Sequence, residues 1–109
     1  MLNKAQVIGR LARDPESREF QNGGMVTNLR VLTTERWRDR NTQEQKEKTE
    51  GHQVAIFREA TAKYAASNLV KGDLVHVEGS LETNKYQDAN GIDRYSTQIV
   101  IRGIRGEIT

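Results

Sequence analysis

Glycine interrupts two strand-like runs in this chain, Gly9 in "NKAQVIGRLAR" and Gly79 in "LVHVEGSLETNKY". A glycine inside a strand weakens it, and it commonly marks a bulge or a tight bend where a sheet curls. The pair therefore favours a sheet that closes on itself. The other runs fit that reading. "MVTNLRVLTT" alternates, with Met25, Leu29 and Val31 on one face and Asn28, Arg30 and Thr34 on the other, and "HQVAIF" is a third strand. "EATAKYAASNLV" breaks the period of two: Ala62, Ala65, Ala66 and Leu69 recur at helical spacing, and "KGD" stops the helix near Gly72. "IDRYSTQIVIRGI" is the last long strand. "QNGG" (Asn22, Gly23, Gly24) and "QDANG" supply hairpin turns. Three strands, a helix and two strands is the order of an OB-fold, a five-stranded Greek-key barrel. A β-sandwich needs about seven strands, more than this pattern offers.

A chain of 109 residues makes one domain. Hydrophobic residues are 35% of it and charged residues 29%, which fits a small core under a large solvated surface. The formal charge of +2 is too weak to identify a partner, so the distribution of charge must do so. With no cysteine, disulfides, thiolate metal sites and cysteine nucleophiles are excluded. No run approaches the roughly 20 apolar residues that span a bilayer. Residues 1–10 lack the apolar block of a signal peptide, so a cytoplasmic location is expected.

Catalysis needs a nucleophile with a base, paired carboxylates or a metal cluster. His52 and His76 fall in strand patterns without carboxylates at ligand spacing. "DANGID" has only a faint likeness to a calcium loop and is better explained as a turn. No glycine-rich run opens a helix to cradle phosphate. The expectation is a protein that is no enzyme and has no cofactor or metal.

The aromatic residues say more. Among six, Trp37, Phe57 and Tyr86 are expected on the surface near basic groups. Trp37 stands in "ERWRDRNTQEQKEKTEG", read as a long charged loop, and Phe57 falls on the strand face opposite Val54 and Ile56. Unpaired bases stack on such rings, and their phosphates need cations. Arg36, Arg38, Arg40, Lys46 and Lys48 could provide them, with Lys85 and Arg94 near the second hairpin. Interleaved Glu44, Glu47 and Glu50 leave ordinary solubilising charge as the competing reading.

From "NKAQVIGRLARDPE" through "NGG", "ERWRDR" and "TEGHQVAIF" to "LVKGDLVHVEGSLETNKYQDANGIDRYSTQIVI", the chain resembles the bacterial single-stranded DNA-binding proteins. The resemblance implies an OB-fold homotetramer that binds single-stranded DNA with little sequence preference in DNA replication, recombination and repair, associated with the nucleoid. It implies stacking at Trp37, Phe57 and Tyr86, phosphate contacts at Lys4, Arg38, Arg40, Lys46, Lys71, Lys85 and Arg94, and a subunit-interface role for His52. The chain departs from the family at four positions. Gly51 replaces a usual tryptophan and Gln53 a commonly basic residue, while Glu82 and Asn84 stand where arginines often do. Gly51 is expected on the outward face with Gln53 and Phe57. The family's flexible linker and acidic tip, through which it recruits other replication and repair proteins, have no counterpart within residues 1–109. The alternative is an OB-fold adaptor that works through protein contacts and resembles primosomal replication protein N.

Overall fold

A computed structural model describes residues 1–102 and 107–108. It contains β1 (Ala5–Leu11), β2 (Glu16–Glu19), β3 (Met25–Arg38), β4 (Gln45–Ile56), α1 (Glu59–Asn68), β5 (Leu74–Gln87), β6 (Asp93–Ile101) and β7 (Glu107–Ile108). The five long strands pair in the order β1-β3-β4-β6-β5, and a β5–β1 pairing closes the ring. The expected five-stranded barrel with one helix between its third and fourth strands is present. Two short strands add to it: β2 forms a hairpin with β3, and β7 pairs with Val77 and Glu78 of β5. The last expected strand stops at Ile101, and residues 103–104 of its span lie outside the described residues.

The two interior glycines sit where strands change partner. β1 pairs with β5 from Ala5 to Arg10 and meets β3 from Arg10 to Leu11, so Gly9 lies at the crossing. A Cβ on Gly9 would run into the Leu32 carbonyl. β5 hands over from β1 to β6 between Gly79 and Ser80, and a Cβ on Gly79 would press on the Val100 carbonyl. Each closes the barrel by letting a neighbouring backbone approach where a side chain would stand.

Leu29, Val31, Val54, Ile56, Val77 and Ile101 fill the interior, each almost fully buried. Ala62 and Ala65 of α1 cover it, joined by half-buried Leu69, whereas Ala66 faces solvent. The apolar stripe of the helix is thus narrower than its spacing suggested. Thr27, the one buried polar residue among those described, donates its hydroxyl to the Ala62 carbonyl (2.9 Å) and accepts from Ser17 (2.9 Å). Gly72 does not cap the helix: Leu69 does, and Gly72 takes φ 93° in the turn that follows.

Candidate nucleic-acid interface

The charged stretch around Trp37 is not a loop. β3 runs on to Arg38 and β4 starts at Gln45, so only residues 39–44 turn. Beyond the barrel the two strands form an arm, with Thr33↔Glu50, Glu35↔Lys48 and Trp37↔Lys46 as register partners. Both faces of the arm are polar, so no hydrophobic alternation marked it as a strand. Cross-strand pairs hold it instead. Thr34 and Thr49 share a hydrogen bond (3.1 Å), and Arg36 donates to Glu47 (3.0 Å). At the tip, the Asp39 carboxylate accepts from the Asn41 and Thr42 N–H groups, and Gln43 takes φ 61°. "DRNT" was the readable sign of this turn, since an Asp side chain commonly bonds backbone two residues on. The arm and a similar β5–β6 extension help give a radius of gyration of 16.3 Å, against about 13 Å for a compact chain of this length.

Trp37 is 47% exposed at the end of that arm. Phe57 lies far from it: it follows Ile56 directly, 11 positions along from Lys46, or about 35 Å of strand. Register also separates the two. Trp37 shares a face with Lys46, which has the parity of core-facing Val54 and Ile56, while Phe57 has the outward parity of Gly51, Gln53 and Ala55. Tyr86, exposed in β5 opposite Arg94, has the outward parity of Ser80 and Glu82. Phe57 and Tyr86 therefore belong to one surface, the outer face of β4-β6-β5, and Trp37 projects from the other side of its hairpin.

Exposure proved a poor guide to these rings. Phe20, Trp37, Tyr64, Tyr86 and Tyr95 are all exposed, whereas Phe57 is half-buried. The expectation of three exposed rings was wrong in that respect. Arg102 lies over the Phe57 ring with its guanidinium carbon 4.5 Å from the centroid, well inside cation–π range. Arg102 in turn binds Glu82 through two bonds of 3.1 Å. The hydrogen bond from Arg102 holds the Glu82 carboxyl below its ordinary range, and the same bond raises Arg102. Sequence reasoning did not identify Arg102 or Tyr95. Tyr95 was legible, since it alternates with Thr97, Ile99 and Ile101; the Arg102–Glu82 contact spans 20 residues and left no local mark.

The cations divide into two sets. Lys4 pairs with Glu78 (2.8 Å), Lys46 loosely with Glu44 (3.9 Å), Lys85 with Asp93 (3.1 Å) and Arg94 with Asp88 (3.0 Å). The Arg94 hydrogen bond, helped by the backbone N–H groups of Ile92 and Asn90, lowers the Asp88 carboxyl below its usual range. Asp88 also closes the second hairpin turn. Arg38, Arg40 and Lys71 carry no acidic partner among the described residues, and the Lys71 N–H reaches Asp14 through backbone only. Arg36 pairs across the arm with Glu47 as a rung between its strands, whereas Lys48 pairs with Glu50 on its own strand. The uncompensated charge at Trp37 is thus that of Arg38 and Arg40.

His52 is half-buried, bonded to the Thr33 hydroxyl through Nε2 (2.9 Å). It faces an opening of about 310 Å³ between strands, shared with Ala5, Val7, Leu81 and Thr97. Gly51 does sit on the outward face as expected, opposite Leu32. Its φ is not positive, so nothing in the backbone demands glycine. The Arg30 guanidinium occupies the place where its Cβ would stand.

A closed Greek-key barrel of five strands, with a helix between the third and fourth, is an OB-fold. The sequence pattern of the Single-strand binding protein family matches residues 2–106. A single-stranded DNA-binding protein of Rhizobium meliloti (strain 1021) is 44% identical over 108 residues, which are 99% of this chain and 62% of that protein. Among solved structures, a Plasmodium falciparum SSB in complex with ssDNA superposes with a TM-score of 0.92 at 33% identity, covering 99% of this chain and 93% of the other. The chain belongs to the Single-strand binding protein family.

Proposed function

We propose that this chain binds single-stranded DNA with little sequence preference and protects it during replication, recombination and repair. The observation that carries the reading is Trp37. An indole that could have stabilised the core instead stands at the end of a polar arm, next in the chain to Arg38 and close to Arg40, neither of which pairs with an acid among the described residues. Base faces and phosphates are the ligand that uses both. Phe57 and Tyr86 extend the stacking surface onto the barrel, and Lys4, Lys46, Lys71, Lys85 and Arg94 add cations that phosphates must in part win from Glu78, Glu44, Asp93 and Asp88. Binding needs no catalytic group or cofactor, and its place in the cell is with DNA.

We infer further that the chain acts as a homotetramer, with the opening at His52 at a subunit interface. The family membership supports this. The deciding experiment is a titration with oligo(dT). The single tryptophan makes the signal specific, so quenching of its emission at saturation, with affinity falling steeply in salt and little binding to duplex, is the expected result. Equal affinity for duplex would leave only a basic surface, and a dimer by light scattering would favour the adaptor.

A further inference from the structure

Phe57 is not a bare ring. Its exposed face meets the Arg102 guanidinium, and Glu82 fixes that guanidinium in plane by a two-point bond. We propose that Arg102 is a DNA-contacting residue, and that the layered Phe57–Arg102 unit, oriented by Glu82, is the platform on which a base stacks. The proposal rests on the single-strand reading above and adds to it a residue with a defined role.

Three features of the geometry lead there. First, a guanidinium is flat and delocalised, and it stacks on π-systems with either face. Arg102 lies over Phe57, yet its side chain remains 57% exposed, so much of it is still reachable from solvent. Second, the bond to Glu82 uses two of five N–H donors. Three are left to reach a phosphate or a base edge, although Glu82 satisfies the formal charge. Third, a groove of about 620 Å³ runs along Arg102 and Glu82, walled by Ser80, Val100 and the N-terminal residues Met1, Leu2 and Asn3. Asn3 is anchored there by two bonds to the Leu81 backbone, so the wall is built.

This also accounts for Glu82, an acid on a face meant for phosphates. Its charge is spent in orienting Arg102 and does not stand free to repel DNA. As an exposed ion pair it adds little to stability, so positioning is what remains for it to do.

The competing arrangement is a cover: Arg102 could simply hide Phe57 and have to leave before a base can stack. Affinity separates the two. Oligo(dT) carrying a fluorophore is titrated against the full chain and followed by anisotropy across a range of salt, with circular dichroism to confirm folding. Arg102→Ala is expected to weaken binding about tenfold and to change the log–log salt slope by less than the roughly 0.7 of one neutralised phosphate, because Glu82 already balances the guanidinium. Arg102→Lys keeps the charge without the plane, so it should retain the slope and still lose most of that affinity. Phe57→Ala combined with Arg102→Ala should cost little more than the worse single change, because the two form one surface. Unchanged or tighter binding by Arg102→Ala would make Arg102 a cover and overturn the proposal. Wild-type affinity in Arg102→Lys, or full additivity in the double variant, would overturn the stacked platform. If the unmodified chain does not bind oligo(dT) at all, the single-strand reading fails first and takes this one with it.

Discussion

The barrel and the arm are made from the same two strands, held by opposite means. Between Leu29 and Val31 on β3, and Val54 and Ile56 on β4, alternate side chains are almost wholly buried, and slipping the register by one would turn them out into water. A few residues on, from Thr33 to Arg38 and from Gln45 to Glu50, nearly every side chain is exposed and register rests on pairs such as Thr34–Thr49 and Arg36–Glu47. One β-ladder thus runs from a region whose sequence is dictated by the fold into one whose sequence is free for a ligand. That freedom explains how Trp37 can stand on a strand without contributing to the core.

The contrast is best broken by asking whether damage stays in its own region. Ile56→Ala removes a fully buried side chain and should lower stability by about 2–5 kcal/mol in urea denaturation. Arg36→Ala, which cuts an exposed rung of the arm, should change it by no more than about 0.5 kcal/mol. An equal loss from both would mean that arm and barrel fold as one tightly coupled body. Next in size is Trp37→Ala. We expect about 1–3 kcal/mol weaker binding to oligo(dT) with melting temperature almost unchanged. A large fall in melting temperature with binding intact would return the indole to a structural role.

Gly51→Trp sharpens the comparison from the barrel side. The backbone tolerates a side chain there, and the obstacle is the Arg30 guanidinium, the mobile end of a flexible residue. The variant should fold with unchanged stability and bind single strands more tightly, by up to about 1–3 kcal/mol per engaged site. Its indole would lengthen the outward row of Gln53 and Phe57, since Trp37 lies on the other face of the hairpin. Weaker binding by the folded variant would point to Arg30, displaced by the new ring, as the more valuable contact.

The smallest effect is an acid one. Glu82 and Asp88 both titrate below their ordinary values, chiefly through hydrogen bonds from Arg102 and Arg94. A depressed carboxyl contributes stability that is present above its unfolded value and lost as pH falls through its native one. Melting temperature should therefore hold down to about pH 4 and then drop, with Glu82→Gln shrinking the drop slightly. A variant that melts identically to the unmodified chain across that acid range would show that the Glu82–Arg102 bond has no energetic weight in the free protein.

By itself the sequence determined the barrel. Gly9 and Gly79 marked its two crossings, the alternation of Leu29, Val31, Val54 and Ile56 set its interior, and Ala62 and Ala65 set the face of its helix. Burial imposes a period, and a period can be read one residue after another. The type of ligand was legible in the same way, because Trp37 between two arginines is a local anomaly. What tertiary structure alone decided is where these groups point and what they touch. It turned the supposed loop into an arm, since polar strands held by cross-strand pairs leave no hydrophobic period. It set Trp37 and Phe57 on opposite faces, because register is a relation between two segments. It spent Lys85 and Arg94 partly on Asp93 and Asp88, and it laid Arg102 between Phe57 and Glu82, residues that β4, β6 and β5 bring together only after the ring of strands has closed.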